Sequence, residues 1–365
     1  MRVKIQQFLY GKNHSWSVVG QNVGRALLKR GHEVDFVSTD GVKDEFVPDD
    51  LRPHIKENPG KDYDLQFSYT MMKNFPNYLN PAYGGKRAGL WLYEYDVMPK
   101  GSVKYVNHVD KFLIASKFFW NVCKENKIPE EKMEMFPHGV DWERFENAIP
   151  MPLRTSKTRK ILVNFAQPHL RKNVRGTLEA FGRAFTSKDD VAFVLKVKDK
   201  KPEQQFEISW KEEFSRFKKR FKNHPECLVL DKFIPKIEDL YAACDILCML
   251  PHCEGFFLPA IEALSANKVV IAPRYGGQLD FLNDENSILV DGKVARADPK
   301  AMYWSSSLYA SWFKPSVEDA AEKLKYVVDN YNEVHKNIKF PDDEFKKYFS
   351  WEHNAEILEG MVNEG

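Results

Sequence analysis

A chain of 365 residues is long enough to form two domains of ordinary size, each with its own core. Apolar residues make up 43% of it and charged residues 29%, a composition that is typical of a globular protein and excludes a disordered or fibrous one. The net charge of +2 gives no general reason to expect a nucleic-acid partner.

The N-terminus predicts a β-strand and lacks the long apolar core of a signal peptide. No apolar run approaches the roughly 18 residues that a membrane-spanning helix needs. The five cysteines, an odd number, fit a reducing compartment, so we expect a cytoplasmic protein. Cys244, Cys248, Cys253 and His252 match no common zinc spacing, and we expect small core thiols there instead of a metal site.

The first forty residues predict a strand, a helix and a second strand. Residues 3–9 are β-prone, apolar residues recur at helical spacing over 18–28, Gly31 fits a helix C-terminus, and residues 33–38 form the next strand. Such a βαβ unit predicts a parallel sheet with right-handed crossovers. The other strands predicted in the first half lie at residues 65–69, 87–92, 111–115 and 133–136.

The composition changes at residues 147–160, which hold two prolines, four basic residues and almost no apolar periodicity. We interpret this segment as a linker between two domains, because it cannot bury enough surface to order itself. The second half then resumes the alternation of strands and helices, and residues 342–365 predict one or two helices with a break near Ser350. The strands predicted here lie at residues 160–165, 191–197, 227–230, 246–250 and 269–272.

The expected fold is therefore α/β, with two Rossmann-like doubly wound domains facing each other across a cleft. We place the N-terminal domain at residues 1–150 and the C-terminal domain at residues 151–340. The helical tail at 341–365 is expected to pack back toward the N-terminal domain.

The most informative stretch runs from Asp245 to Leu264, where an apolar strand leads into a loop and then a helix with Pro259 in its first turn. Glu254 lies in the loop, and Glu262 lies in the opening turns of the helix. The amides at the start of such a helix stabilise an anionic phosphate, and carboxylates beside it can accept hydrogen bonds from sugar hydroxyls. Taken singly, each glutamate could equally be a solvated loop acid or a charge that favours the helix dipole.

The segment Glu254-Gly-Phe-Phe-Leu-Pro-x-x-Glu262 resembles the E-x7-E motif of the retaining glycosyltransferases of family 4, within the glycosyl transferases of group 1, which have the GT-B fold. Further motifs of that family occur in the same order and extend the resemblance over most of the chain. They are Ser17-x-x-Gly20, Pro137-His-Gly-Val-Asp141, Arg171-Lys-Asn173, Asp239-Leu-Tyr241 and Pro273-x-x-Gly276-Gly277.

The resemblance implies roles for the matching residues on the donor side, which it assigns to the C-terminal domain. Lys172 neutralises the diphosphate of a nucleotide sugar, with Arg171 beside it. Glu254 contacts the transferred sugar, and Glu262 holds the ribose. The segments that bring backbone close to phosphate and sugar are Gly255, Phe256, Phe257 and Leu258, together with Gly277.

One feature departs from the family pattern. The family's phosphate-binding arginine usually lies several residues before the lysine, but Ala166 and Gln167 occupy that region here. The sequence leaves open whether Arg171 replaces it. The alternative for Arg171 and Lys172 is a solvated pair of cations at the start of a helix.

The acceptor side, which the family places in the N-terminal domain, is less clearly marked. Glu94 follows a predicted strand and is our candidate for a catalytic group near the acceptor, although an ordinary strand-end acid fits equally well. Ser17 and Gly20 at the first helix, and His14 in the loop before it, are candidates for contact with the donor. For His14 the alternative is an exposed loop histidine.

The resemblance therefore implies a retaining hexosyltransferase that uses a nucleotide-diphosphate sugar as donor substrate and glycosylates a saccharide or other hydroxyl acceptor. We expect it to be metal-independent and to need no other cofactor. Alternatives on the same scaffold are a nucleotide-sugar epimerase, a phosphorylase, or a non-catalytic carbohydrate- or partner-binding protein. The basic segment at residues 211–222 fits an amphipathic helix better than a membrane-docking or nucleic-acid surface.

Overall fold

The computed structural model describes residues 1–7, 15–39, 47–165, 169–198, 206–302 and 309–363. The chain divides into two compact units. The first contains residues 1–94, 98–140 and 343–365, and the second contains residues 95–97 and 141–342.

The first unit is built on a seven-stranded parallel sheet with the strand order β3-β2-β1-β4-β5-β6-β7. The order reverses direction between β1 and β4, which is the mark of a doubly wound sheet. Its strands are β1 (Arg2–Gln7), β2 (Glu33–Ser38), β3 (Ile55–Lys56), β4 (Leu65–Tyr69), β5 (Lys86–Leu90), β6 (Lys111–Ile114) and β7 (Met133–Met135). The helices among them are α1 (Ser15–Lys29), α2 (Phe75–Tyr78) and α3 (Lys117–Glu125).

Helix α1 covers the residues predicted to be helical and ends where its sequence predicts. Its apolar face, with Val19, Val23 and Leu27, is fully buried. Gly31 follows the helix with φ +84°, the left-handed conformation that a C′ glycine adopts without strain. Gly20 lies so close to strand β1 that an added Cβ would be 1.6 Å from the side-chain oxygen of Gln7.

The second unit holds a six-stranded parallel sheet with the order β10-β9-β8-β11-β12-β13, again reversing at its centre, and an antiparallel pair, β14-β15. Two doubly wound parallel sheets confirm the predicted α/β class. The strands are β8 (Arg159–Phe165), β9 (Val191–Val197), β10 (Glu226–Leu230), β11 (Ile246–Cys248), β12 (Val269–Pro273), β13 (Ile288–Val290), β14 (Gly292–Arg296) and β15 (Ser311–Pro315). The helices are α4 (Trp142–Glu146), α5 (Val174–Ala184), α6 (Trp210–Arg220), α7 (Ile237–Ala242), α8 (Leu258–Ser265), α9 (Val317–Asp329) and α10 (Tyr331–Asn337).

The proline-rich segment after α4 contains neither helix nor strand as far as residue 158, as its composition predicts. It is nevertheless fixed to the second unit by specific hydrogen bonds. Asp239 accepts one from the Ile149 amide through its side chain (3.2 Å) and one from the Met151 amide through its carbonyl (3.1 Å). The expectation that this segment cannot order itself omitted these hydrogen bonds, because their acceptor, Asp239, lies 90 residues after Ile149 in the sequence.

The basic segment at residues 211–222 forms helix α6, and its aromatic face packs on α5. Phe217 is buried, and both Phe217 and Phe221 lie against Gly182. The amphipathic interpretation of this segment therefore agrees with the structure. None of the described helices has the length and apolar composition needed to cross a membrane.

The C-terminal helices α11 (Asp343–Tyr348) and α12 (Trp351–Asn363) belong to the first unit. Helix α12 packs on α1, and Asn354 donates a hydrogen bond from Nδ2 to the carbonyl of Pro137 at 2.7 Å, inside the core. On the surface, Arg30 pairs with Glu359 at 2.6 Å. The chain thus returns to its first unit after completing the second, and the break between the two helices falls at Phe349-Ser350 as the sequence predicts.

Gly85 gives the first testable prediction. It has φ +68°, and a Cβ at this position would lie 2.3–2.4 Å from backbone atoms of Tyr63 and Asp64. We expect Gly85→Ala to lower the free energy of unfolding by about 3 kcal/mol, because backbone strain and an immovable clash add. Gly31→Ala is the matched control, since Gly31 has the same sign of φ but no atom within 4 Å of an added Cβ, and it should cost about 1 kcal/mol. Urea unfolding of both variants measures the difference, and equal losses would contradict the clash.

Candidate functional site

The central reversal of strand order in the second unit lies between β8 and β11. In open α/β sheets this is where ligands bind, outside the carboxyl ends of the strands. The chain leaves β8 toward residues 169–173 and leaves β11 toward residues 251–257. These two segments are in direct contact, because the His252 amide donates a hydrogen bond to the carbonyl of Arg171 at 2.7 Å. The segments that carry Arg171, Lys172 and Glu254 therefore meet at a place where the topology of the second unit predicts a site.

Two cations bracket the carboxylate of Glu254. Lys172 Nζ lies 2.5 Å from Oε1 and Arg171 Nη1 lies 2.9 Å from Oε2. Only 4% of Glu254 is exposed. Burial by itself would raise the pKa of this carboxyl, but the charges and hydrogen bonds of Arg171 and Lys172 outweigh it and hold the pKa below its ordinary value. Glu254 is therefore an ionised, nearly buried carboxylate at neutral pH.

The cations owe their positions to the turn that begins helix α5. Asn173 adopts the left-handed conformation (φ 49°, ψ 48°) and caps the helix by accepting a hydrogen bond from the Gly176 amide. Its Nδ2 donates to the carbonyl of Leu250, at the end of the neighbouring strand segment, at 2.9 Å. The Thr177 hydroxyl in turn accepts from the Leu250 amide at 3.2 Å. The first turn of α5, which directly follows Lys172, is thus fixed to the chain after β11 by two hydrogen bonds.

Two histidines that the sequence analysis did not assign to the site support it. His169 is stacked on Phe206 and accepts a hydrogen bond from the Arg171 amide through Nδ1. Burial, followed by the charges of Arg171 and Lys172, lowers the pKa of His169 to about 2, so it is neutral. The proximity of His169 to Arg171 in the sequence was the one signal that could have identified it.

His252 joins the Glu254 loop to the hairpin of β14 and β15. Its ring stacks on Trp312 with centroids 4.1 Å apart, and its Nδ1 donates to the carbonyl of Phe313 at 2.7 Å. The Phe313 amide donates back to the carbonyl of His252 at 2.9 Å. Burial lowers the pKa of His252 to about 4, so the neutral ring makes these contacts at physiological pH. Among the described residues of the segment 295–314, those of β15 therefore brace the loop that carries Glu254.

The loop after Glu254 contains an unusual backbone conformation. Phe257, immediately before helix α8, has φ +81°, which is strained for a bulky aromatic residue. Phe256 points into the core against Phe281. The glycine pair closes the other side of the loop, because the Gly277 amide donates to the Glu254 carbonyl at 2.9 Å and Gly276, with φ +96°, passes too close to that carbonyl for a side chain. Strain and close approach at this point are typical of a binding loop.

Glu262 lies in α8, partly buried, and accepts a hydrogen bond from the Tyr241 hydroxyl at 2.7 Å. Tyr241 Oη accepts in turn from Asn164 Nδ2 at 3.3 Å. Burial raises the pKa of Glu262 to about 7, although the Tyr241 hydrogen bond and the charge of Arg144 oppose the rise. Its carboxyl therefore changes charge within the physiological range.

The remaining candidates lie in the first unit or outside the described residues. Ser17 is buried in α1, where its carbonyl accepts from Gln7 Nε2 at 3.4 Å, and Gly20 contacts the same Gln7 side chain. Glu94 is buried, in the loop after β5. His14 is outside the described residues, as are Ala166 and Gln167.

Clusters of three or more His, Cys, Asp or Glu side chains able to hold a metal ion do not occur among the residues that the structure describes. The thiols of Cys244 and Cys248 are buried in the sheet region, and burial raises the pKa of each to about 12. These thiols are protonated core groups, and they behave as the composition predicts.

Residues 146–301 match the family model described as glycosyl transferases group 1. No curated protein matches the chain by sequence. Among solved structures, that of HepE from Anabaena in complex with UDP and glucose is similar with a TM-score of 0.73 at 12% identity, covering 100% of both chains. Sucrose-phosphate synthase from Thermosynechococcus elongatus is similar with a TM-score of 0.72 at 12% identity, covering 100% of this chain and 98% of that one.

A third similar structure is the UDP-forming α,α-trehalose-phosphate synthase from Burkholderia xenovorans in complex with glucose-6-phosphate. It has a TM-score of 0.69 and 11% identity, and the match covers 100% of both chains. At such identities the similarity establishes the fold. The family match covers residues 146–301, the part of the second unit that contains the Glu254 site. The resemblance predicted from the sequence is thereby confirmed: the chain has the GT-B fold, and its residues 146–301 match the glycosyl transferases of group 1.

Proposed function

We propose that the protein is a retaining glycosyltransferase that transfers a hexose from a nucleoside-diphosphate sugar to a hydroxyl acceptor. The observation that carries the proposal is the pair of cations, Arg171 and Lys172, held against the buried Glu254 carboxylate at the strand-order reversal of the second unit. The family match over this unit and the UDP-containing structures of similar fold support the same class of donor.

The diphosphate of the donor would bind beside Lys172 and Arg171. As the bond between sugar and phosphate breaks, negative charge accumulates on the leaving diphosphate. Fixed cations and backbone amides aimed at that position stabilise it without reorganising, and such groups are worth about 10²- to 10³-fold in rate each. Because Lys172 and Arg171 supply two positive charges, the leaving group can be stabilised by side chains of this chain alone.

Glu254 would contact the transferred sugar. Two ion pairs hold the carboxylate in its ionised form and in one orientation, which suits a group that accepts hydrogen bonds from sugar hydroxyls. The same ion pairs reduce its strength as a nucleophile. This supports retention through same-face attack by the acceptor, with an oxocarbenium-like state and no covalent sugar–enzyme intermediate.

The acceptor would be bound by the first unit, with Glu94 as the candidate group near its hydroxyl and Ser17, Gly20 and His14 contributing to the donor side. Glu94 is buried, and so are its neighbours in the chain, Tyr93 and Tyr95.

The test is incubation of the full chain with a panel of UDP-, GDP- and ADP-sugars and hydroxyl acceptors, with released nucleotide and glycosylated product measured together. We expect nucleotide release that depends on both donor and acceptor, with the anomeric configuration of the donor kept in the product. Formation of a free epimerised nucleotide sugar without acceptor would overturn the proposal in favour of an epimerase. Donor binding without turnover of any acceptor would favour a non-catalytic binding protein.

Glu262 gives a prediction about pH. Its pKa of about 7 means that the carboxyl is mostly ionised at pH 8 and mostly protonated at pH 6. An ionised carboxylate accepts stronger hydrogen bonds from a ribose diol, so the dissociation constant of the best-binding nucleotide sugar should rise by about fivefold from pH 8 to pH 6. Isothermal titration calorimetry measures this, and the diphosphate of a nucleotide sugar does not itself titrate in that range.

Glu262→Gln is the control, and its affinity should not change between these pH values. The free energy of unfolding of the unliganded protein should change with pH in the opposite direction. Because the folded-state pKa of Glu262 lies above the unfolded value, its favourable contribution is complete below about pH 4 and is lost as pH rises through about 7. Equal pH dependence of ligand binding in the wild type and in Glu262→Gln would contradict the assignment of Glu262 to the ribose.

A further inference from the structure

Lys196 is a buried lysine near the end of a central strand of the second unit. It is the penultimate residue of β9, and only 6% of it is exposed. Lysine is almost never this buried without a partner, because removing an ammonium group from water costs free energy that only hydrogen bonds or an opposite charge can offset. The site described so far makes no use of this residue.

The contacts of Lys196 within the protein do not saturate its ammonium group. Its Nζ donates to the carbonyl of the next residue, Val197, at 3.1 Å. In the part of the chain that the structure describes, no carboxylate lies within ion-pair distance of it. Burial lowers the pKa of Lys196, and the more distant charge of Asp231 partly opposes this effect. Since an ammonium group carries three N–H donors, two remain for an acceptor that the described residues do not supply.

The position of Lys196 indicates what that acceptor is. In the parallel sheet Lys196 is in register with Asn164 of β8, about 4.8 Å away along the hydrogen-bonding direction, and the two side chains share one face of the sheet. Asn164 contacts Tyr241, which contacts Glu262. Lys196 therefore lies one strand further from β11 than Asn164, which reaches the group assigned to the ribose through Tyr241. It lies at the carboxyl edge of the sheet, where ligands of this fold class bind.

We propose that Lys196 is a specificity-determining residue that donates a hydrogen bond from Nζ to the keto oxygen of the donor's nucleobase, at position 4 of a pyrimidine or position 6 of a purine. The inference rests on the proposed function, because it assumes that the ribose occupies Glu262. A nucleotide held there with its diphosphate at Lys172 extends its base away from the phosphates, and Lys196 supplies an unsatisfied donor on that side.

This assignment selects the class of base. Uracil and guanine carry a keto oxygen at the edge where cytosine and adenine carry an amino group. An ammonium group has donors and no acceptor, so it pairs with the keto oxygen and meets the amino group donor to donor. UDP and CDP differ in the substituent at position 4 and in the proton on N3. GDP and ADP differ in the substituent at position 6, in the proton on N1 and in the 2-amino group of guanine. Lys196 therefore favours a UDP- or GDP-sugar.

The experiment compares Lys196→Met, which keeps the aliphatic stem and removes the charge, with the wild type. Lys268→Met is the matched control, because Lys268 also donates to a backbone carbonyl, that of Ala242 at 3.2 Å, but precedes β12 at the opposite edge of the sheet. Dissociation constants of UDP, CDP, GDP and ADP are measured by calorimetry on the full chain, and thermal unfolding verifies that each variant is folded. Lys196→Arg, which keeps the charge, tests for rescue.

We expect the wild type to bind one keto nucleotide about 30-fold more tightly than its amino counterpart, and this ratio to fall to within about threefold in Lys196→Met through weaker binding of the keto nucleotide. Lys268→Met should keep the wild-type ratio, and Lys196→Arg should restore part of it. An unchanged ratio in folded Lys196→Met, or a wild-type preference for CDP or ADP, would overturn the inference while leaving the proposed function intact. Binding of no nucleotide by the wild type would overturn the proposed function, and the inference with it.

Discussion

Glu254→Gln is expected to reduce the rate of sugar transfer by about 10³-fold and, at the same time, to tighten the binding of the free nucleoside diphosphate by about threefold to tenfold. Loss of rate follows because the amide cannot hold the sugar hydroxyls as a carboxylate does. Tighter binding follows because the carboxylate that neutralises Lys172 and Arg171 in the unliganded protein is removed, and the diphosphate then meets two cations without a competing anion.

The two effects have opposite signs, which distinguishes a residue of the donor site from one that only supports the fold. A residue that merely supports the fold would weaken both binding and turnover when replaced. Steady-state kinetics with the preferred nucleotide sugar and calorimetry with the free diphosphate, both at pH 8, separate the effects. The acid is ionised at that pH, because its folded-state pKa is lowered, and the stability that its ion pairs contribute is lost only as pH falls through that pKa.

The control for this change is Glu213→Gln. Glu213 is another buried glutamate of the same unit, 5% exposed, and it accepts two hydrogen bonds from Arg175 at 2.9 Å between α5 and α6. Its replacement should lower the free energy of unfolding by about 2 kcal/mol, as at any buried ion pair, and leave nucleotide affinity unchanged. If Glu254→Gln weakened diphosphate binding while remaining folded, the two cations would not be the diphosphate site.

The sequence was sufficient to predict the fold class and most strands to within two residues, because each rests on local signals. Helix α1 has apolar residues at helical spacing and a C′ glycine, and the order of motifs around Glu254 fixes which loops share an edge of the sheet. Lys172 and Glu254 are 82 residues apart in sequence, yet the doubly wound topology places both at one edge.

What the sequence did not predict depends on contacts between distant residues or on conformations that composition does not encode. His252 stacks on Trp312 from 60 residues away, and no spacing rule predicts that contact. Phe257 adopts a left-handed backbone conformation that is favourable for glycine, so nothing about a phenylalanine at this position predicts that conformation. Lys196 lies in a strand whose other residues are all apolar. A role for this one charged residue can be inferred only when its neighbours across the sheet are known.

The second large effect is expected at the cations themselves. Lys172→Ala should lower kcat/KM by about 10³-fold and Arg171→Ala by about 10²-fold, because each removes a charge from the leaving diphosphate and each also leaves Glu254 with one ionic partner fewer. The larger loss is assigned to Lys172, whose Nζ makes the shorter contact with Glu254 and which directly precedes the N-cap of α5, Asn173.

Arg171 matters for a reason particular to this chain. The position several residues before the lysine, where relatives usually carry their phosphate-binding arginine, is occupied by Ala166 and Gln167, so the second positive charge must come from elsewhere. Arg171 Nη1 contacts the Glu254 carboxylate and also donates to the carbonyl of Cys253 at 3.3 Å. The guanidinium group therefore lies against the loop that carries Glu254, the ionic partner of Lys172. We propose that Arg171 replaces the missing arginine.

A double-mutant cycle tests the replacement. If both cations act on one diphosphate, the double variant should lose less than the product of the single losses, because the second charge has most of its effect while the first is present. Arg171→Lys should retain more activity than Arg171→Ala, because the diphosphate requires a positive charge. Arg175→Ala is the control: Arg175 is a neighbouring cation that pairs with Glu213, and its loss should leave kcat/KM within about twofold of the wild type. Strict independence of the two losses would mean that Arg171 acts apart from the diphosphate, for example by orienting Glu254. An Arg171→Ala variant with wild-type kcat/KM would mean that Lys172 neutralises the leaving group without it.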